Sequence, residues 1–247
     1  MIYSRAFPLC ALLCTLAPSL LAAQFNKTTI AGKGATVCTV DARSERIQLF
    51  LNDDSGQPFK SFETVERHLA QRGEKLVFAM NAGMYHQDLS PVGLLVVNAR
   101  QVVPLNTNTG YGNFFMKPNG VFAITDKGPR VVETSEYPAL TGQVLLATQS
   151  GPLLLRAGKI HAQFSTNSTA RLIRNAVGVS RAGSLVFAIS DDPVSLYELA
   201  TLFRDALDCA DALYLDGVIS SLHAPALKRS DKKVELGPIL GVVEAAR

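Results

Sequence analysis

Apolar and polar positions alternate along this chain in many short stretches, most of them at strand period. Ile47, Leu49 and Leu51 share one side of residues 46–51, the every-second-residue spacing of a strand. Residues 36–41 read the same way, and 75–80 form a nearly continuous apolar strand that runs into Asn81-Ala82-Gly83. Between Gly93 and Thr148 strand and turn alternate, with strands at 93–97, 101–103, 121–124, 130–132 and 144–147; Gly, Asn, Asp and Pro clusters separate most of them. Residues 151–155 and 159–160 give another pair. Val177 and Val179, then Leu185, Phe187 and Ile189, alternate on either side of Arg181-Ala182-Gly183, a hairpin signal. Residues 212–215 read as a short buried strand ending in Asp216-Gly217.

Two stretches change to helical spacing. In residues 59–72, Phe62, Val65 and Leu69 share a face, Glu63 and Arg67 point outward, and Gly73 ends the run. At Ser195-Leu196-Tyr197-Glu198 the spacing of Ser and Glu is that of a capping box, and Leu199, Leu202, Phe203, Ala206 and Leu207 follow at helical intervals. About a dozen strands with two main helices, and no repeating βαβ unit, predict one mixed α/β (α+β), strand-rich domain.

The first 23 residues stand apart. They carry one charge, Arg5, then an apolar run dominated by Leu9, Leu12, Leu13, Leu16, Leu20 and Leu21, with Pro18 before a small-residue exit at Ala22-Ala23. This is the layout of a secretory signal. It predicts a leader at 1–23, a folded unit at 24–247, and a periplasmic or secreted protein. No later stretch is apolar for long enough to span a bilayer. Removing the leader leaves two of the four cysteines, Cys38 and Cys209, and an even pair in an oxidising compartment predicts one disulfide between them.

Composition narrows the classes further. With 247 residues, 47% hydrophobic and 18% charged, the chain can bury a sizeable core and is not disordered. The formal charge is only +3, and the basic residues are scattered, which argues against nucleic acid as a partner. There is no G-x-S-x-G, no Walker loop and no G-x-G-x-x-G opening a helix. His68, His86, His161 and His223 stand far apart, without zinc-site spacing. His223 follows Ser220-Ser221 closely, but a serine triad is a matter of geometry.

What remains is a set of polar residues at the ends of apolar strands. Asn81-Ala82-Gly83-Met84-Tyr85 follows one, Gln149-Ser150-Gly151-Pro152 another, and Arg174-Asn175 opens a third. Asp191-Asp192-Pro193 and Asp216-Gly217 with Ser220-Ser221 end two more. Each alone is ordinary turn chemistry; five together suggest rigid positions converging on one site.

These segments, together with Pro91-Val92-Gly93, Thr148 and Ala176-Val177-Gly178, resemble the phosphodiester glycosidase (N-acetylglucosamine-1-phosphodiester α-N-acetylglucosaminidase-like) family, and most closely its bacterial periplasmic branch. The resemblance implies an exported hydrolase that removes an α-linked sugar from a sugar-phosphate diester. After Asp216-Gly217 the family pattern is small, whereas this chain has Val218-Ile219. That departure keeps a second class open, a non-catalytic envelope protein that binds glycans or assists exopolysaccharide assembly.

The residue chemistry is compatible with the first class. Breaking a glycosyl phosphate builds positive charge on the sugar, so a carboxylate is wanted as base or nucleophile. The phosphomonoester that leaves has a second pKa near 6, so a cation beside it can take the place of a strong general acid. Asp216 is the expected carboxylate and Asp192 the second choice. Arg174 is the expected phosphate clamp, Asn81 and Gln149 the ligands of sugar hydroxyls, and Ser220 and Ser221 the phosphate donors. Gly83, Tyr85, Ser150, Asn175 and Gly217 complete the expected binding set. No cofactor is required, although Asp216 and nearby oxygens could hold a divalent cation.

Overall fold

The computed structural model describes residues 23–246. The expected leader, residues 1–23, lies outside them except for Ala23, whose N–H donates to Glu45 Oε2 at 2.9 Å. The chain begins with β1 (Gln24–Ile30), β2 (Lys33–Val40), β3 (Arg46–Phe50), helix α1 (Phe62–Ala70) and β4 (Glu74–Asn81). It continues through β5 (Leu95–Val97), β6 (Arg100–Val103), β7 (Gly120–Thr125), β8 (Gly128–Glu133) and β9 (Val144–Ser150). Next come β10 (Leu153–Arg156), β11 (Lys159–Ile160), β12 (Asn175–Ser180), β13 (Leu185–Ser190) and helix α2 (Leu196–Thr201). The last strands are β14 (Cys209–Asp216), β15 (Leu222–Ala224), β16 (Arg229–Ser230) and β17 (Ile239–Ala245).

The strands form three antiparallel sheets, in the orders β1-β2-β13-β12-β14-β10-β11, β16-β15-β4-β17-β3 and β6-β5-β9-β7-β8. The strand-rich α+β expectation therefore holds. All three sheets turn a face to one core, where Val177, Phe187 and Leu213 meet Phe78, Leu49 and Leu240, and also Leu95 and Phe122. Truncating one such phenylalanine to alanine costs about 3–5 kcal/mol. α1 covers the outer face of the second sheet, laying Phe62, Val65 and Leu69 on Leu76, Ala79 and Val243. Its N-terminus is capped by Ser61, whose hydroxyl accepts from Thr64 N. α2 covers the first sheet, where Leu199 and Ala200 pack with Leu154 and Ala176.

The capping box is present: Ser195 Oγ accepts from Glu198 N at 3.1 Å, and Glu198 Oε2 accepts from Ser195 N at 2.7 Å. The helix it opens differs from expectation. Regular α-helix ends at Thr201, and Leu202–Ala206 widens into a π turn that buries both Leu202 and Phe203. Such bulges admit one more residue per turn.

The sequence reading also assigns no strand to 24–30 or beyond residue 221. Yet β17 is the central partner of both β4 and β3. Its signal is the apolar run Ile239-Leu240-Gly241-Val242-Val243 behind Gly237-Pro238.

The expected disulfide is corrected by the fold. Cys38 and Cys209 are both free and buried. They lie on β2 and β14, which β13 and β12 separate, so three strand spacings of roughly 4.8 Å lie between them. A disulfide needs Cα atoms within about 7 Å. The two thiols also face opposite sides of the sheet, Cys38 toward Phe78 and Phe187 in the shared core, Cys209 toward Phe203 beneath α2. Burial raises both thiols, Cys209 to about 12.

Candidate active site

Each of the three sheets contributes a strand end to one place. β4 ends in Asn81, β9 in Gln149-Ser150, β14 in Asp216, and β12 begins at Asn175. The polar side chains there stitch the sheets together. Asn175 Nδ2 donates to Asn81 O at 3.0 Å and to Asn81 Oδ1 at 3.1 Å, joining the first sheet to the second. Gly83 N donates to Thr148 Oγ1 at 3.1 Å, joining the second to the third, and Ser150 Oγ donates to Leu215 O at 2.9 Å, joining the third to the first.

The expected sugar ligands are turned inward. Asn81 is buried, with Oδ1 accepting from Ser221 N at 2.9 Å. Gln149 Oε1 accepts from Leu94 N and Asn106 N, and its Nε2 donates to Asn106 O at 2.7 Å, so the amide fixes the 92–106 loop. Asn175 Oδ1 accepts from Asp216 N at 3.0 Å and from Ser220 Oγ at 3.2 Å. Ser221 Oγ donates to Ile219 O at 2.8 Å. Removing one of these buried partners leaves the other unpaired, a cost of about 1–3 kcal/mol.

Asp216 is different. Between Ala176 and Asn175 the register advances one residue on β12 and two on β14, a bulge that re-aims the strand end. The carboxylate folds back over the following turn, Oδ1 accepting from Gly217 N at 2.5 Å, Val218 N at 2.7 Å and Ile219 N at 3.3 Å. Its Oδ2 accepts no hydrogen bond among the described residues, and Asp216 lines a cleft of about 330 Å³ with Met84, Tyr85, Asn113, Leu172 and Tyr214. Asp216 is the one carboxylate on that lining among the described residues.

Beside it stands a cation that solvent scarcely reaches. Arg174 is 2% exposed. Its Nε donates to Val194 O at 2.8 Å, Nη2 to Ala170 O at 3.2 Å and Nη1 to the Tyr214 hydroxyl at 2.7 Å. Gly217 passes so close that a Cβ there would stand 2.0 Å from Tyr214 Oη and 3.0 Å from Arg174 Nη1. Tyr85 also lines the cleft, its hydroxyl donating to Glu235 O at 2.7 Å. Burial, helped by the Asp216 charge, pushes that phenol up to about 12.

The Val218-Ile219 pair borders the cleft without filling it: Val218 is 82% exposed, and Ile219 packs toward the α1 cluster. Asp192 is not on the lining; its Oδ2 accepts from Gly34 N at 3.0 Å. Ser220, Ser221 and His223 make no triad. His223 Nδ1 lies 3.0 Å from Ser230 Oγ, its ring against Phe62, and burial lowers its pKa. Its Nε2 comes within 3.3 Å of Glu66 Oε1 but out of line for a hydrogen bond. No group of three His, Cys, Asp or Glu side chains gathers as a metal site among the described residues. A wider hollow of about 550 Å³ opens between the start of α1 and residues 230–236; it shares no lining residue with the cleft, and its Lys60 and Lys232 pair with Glu235 and Glu63.

Comparison with known proteins gives this geometry a family. Residues 74–234, well over half of the chain, match the model of the phosphodiester glycosidase family. The chain belongs to that family. It is also 31% identical over 185 residues to the uncharacterized protein YigE of Escherichia coli, covering 75% of this chain and 72% of that one. Among solved structures it resembles the catalytic domain of zebrafish N-acetylglucosamine-1-phosphodiester α-N-acetylglucosaminidase, auto-inhibited by its pro-peptide, with a TM-score of 0.60 at 15% identity over 89% of this chain and 81% of that one. An exported protein of Burkholderia pseudomallei, so described on its name alone, shares the fold at a TM-score of 0.52 and 12% identity over 85% and 74% of the two chains.

Tyr214, Asn113, Leu172 and Met84 are the cleft residues that sequence reasoning does not single out. For Tyr214 a signal exists, since it stands two residues before Asp216 on one strand, the interval at which strand side chains return to one face.

Proposed function

We propose that the protein hydrolyses the bond between a sugar and the phosphate of a sugar-phosphate diester. The observation that carries this reading is a cleft with one carboxylate among the described residues, Asp216, beside a buried arginine–phenol pair. Hydrolysis of an ordinary glycoside is served by two carboxyl groups, one of them a proton donor to the leaving oxygen. A phosphomonoester leaves without that proton. In the proposed step a water oxygen bonds to the anomeric carbon, directly or after Asp216 has served as nucleophile. The carbon–oxygen bond to phosphate breaks with its electron pair on the phosphate oxygen, and the water gives up a proton to the carboxylate or solvent. The cation behind the Tyr214 hydroxyl favours negative charge on the departing group.

In this reading Asn81, Asn175, Gln149, Ser150, Ser220 and Ser221 position the three strand ends, and the sugar is met by Met84, Tyr85, Asn113 and the Asp216–Ile219 turn. Export fits the apolar leader after Arg5, and one protein that shares the fold is described as exported in its name. Incubating the purified chain with a panel of sugar-1-phosphodiesters tests the proposal. Release of free sugar and phosphomonoester from at least one supports it. Tight binding of the same compounds with no product would establish a glycan-binding protein instead.

A further inference from the structure

The Tyr214 hydroxyl has a property that the other polar groups at the strand ends lack. It accepts from Arg174 Nη1 at 2.7 Å, and the guanidinium carbon lies 5.3 Å from the centre of the same ring. Arginine has no acceptor atom, so the phenol's own proton does not lie on that bond. Among the described residues no hydrogen bond gives that proton an acceptor, and the Asn113 side chain lies beside the same oxygen. The oxygen stands against the Asp216–Gly217 turn at the cleft wall.

We propose that Tyr214 gives its hydroxyl hydrogen to the departing phosphate as a hydrogen bond and that Arg174 acts through it as a positioning residue; this rests on the hydrolytic reading above. Arg174 already uses three of its N–H groups on Val194, Ala170 and Tyr214. A phenol that accepts from a cation becomes a stronger donor, because linked hydrogen bonds polarise one another. Burial also raises the Tyr214 pKa, so the group stays protonated at neutral pH. No proton changes owner in this step. As the bond from sugar to phosphate breaks, its electron pair settles on the phosphate oxygen, and the Tyr214 hydrogen bond strengthens with the growing charge.

The test reads binding of methyl phosphate and of the free sugar to the whole chain by calorimetry, so it does not depend on turnover. Tyr214→Phe keeps the ring and removes the donor. It should weaken methyl phosphate by about 10- to 100-fold, the loss of one hydrogen bond to a charged partner, and leave free sugar unchanged. Adding Arg174→Gln to Tyr214→Phe should weaken methyl phosphate by less than about 3-fold more, because coupled partners are not additive. Unchanged methyl phosphate binding by a folded Tyr214→Phe, a full Arg174 effect in its absence, or no binding by the wild type would each overturn the assignment. A crystal of the wild type soaked in methyl phosphate decides the matter without a variant. A phosphate oxygen about 3 Å from Tyr214 Oη supports it, and one on the Arg174 guanidinium with Tyr214 untouched contradicts it. Failure of the wild type to cleave any sugar-1-phosphodiester would defeat the hydrolytic reading while leaving the phosphate measurement to judge Tyr214.

Discussion

Two strands of the same sheet run into aspartate at the same edge, and the two ends do different things. Ile189 of β13, Asn175 of β12 and Asp216 of β14 stand in one row across the sheet, and Asp191-Asp192 follow just beyond Ile189. Asp191 is held by Lys27 Nζ at 2.9 Å, Arg229 Nη1 at 2.6 Å and Thr36 Oγ1 at 3.1 Å. Asp192 caps Gly34 N and faces solvent. Asp216 lines the cleft and takes backbone N–H groups on one oxygen, and the other accepts no hydrogen bond among the described residues. Arg174, close to the Gly217 turn, is bonded to Tyr214 rather than to the carboxylate. An apolar strand ending in Asp is thus a structural clasp where cations surround it and a candidate reagent where only backbone does.

The comparison breaks most sharply at Asp216. Asp216→Asn keeps the shape of the turn and removes the charge, so turnover of a sugar-1-phosphodiester should fall by roughly 10²–10⁴-fold with little change in substrate binding. Steady-state kinetics on the folded variant check it, and normal turnover would remove Asp216 from the mechanism.

Gly217→Ala probes the same turn by crowding alone, since Gly217 is not among the positive-φ glycines. A methyl group 2.0 Å from Tyr214 Oη must move the phenol or the turn, and a displacement of about 1 Å at a reacting centre can cost ~10²-fold in rate. Turnover should drop by that order, and the melting temperature should fall by the few degrees that overpacking of about 1–3 kcal/mol produces.

Arg229→Gln acts on the clasp. Burial alone would raise the Asp191 carboxyl, but the bonds from Lys27 and Arg229 hold it below the ordinary value. A carboxyl lowered by folding adds stability above its unfolded pKa of about 3.9 and loses it as pH falls through the folded value. The variant should be about 1–3 kcal/mol less stable at pH 7. The gap to the wild type should shrink below about pH 4, as melting curves at pH 7 and pH 3 would show. A gap that persists at pH 3 would mean that packing, not charge, holds this corner.

The smallest effect is expected at Asp192. Asp192→Asn keeps an acceptor for Gly34 N, and turnover and melting temperature should both stay close to wild type. A large loss of turnover would reverse the roles assigned to the two strand ends.

Local features were legible where a single segment determines them. The Ser195–Glu198 capping box, the hairpin at Arg181-Ala182-Gly183 and the apolar face of α1 need only neighbours in sequence, and all three are present. Gathering of the strand ends was legible as a convergence of polar residues, but the direction of each side chain was not. Asn81, Asn175 and Gln149 carry the groups a sugar site would want, yet which partner they take depends on how three sheets meet. The cysteines fail in the same way: an even count says nothing of the two strands that lie between Cys38 and Cys209. β17 escaped because its apolar run lies far in sequence from the strands it pairs with.

The central claim is that phosphate is the leaving group, and one ratio tests it. For the sugar that turns over best, kcat/KM is measured on its α-linked methyl phosphate diester and on the α-methyl glycoside of the same sugar. With Asp216 the sole carboxylate on the cleft lining among the described residues, an alkoxide has no carboxylic acid there to protonate it, which is worth about 10²–10⁴-fold. The phosphodiester should be preferred by about 10³-fold or more, and comparable rates on the two compounds would contradict phosphate as the leaving group.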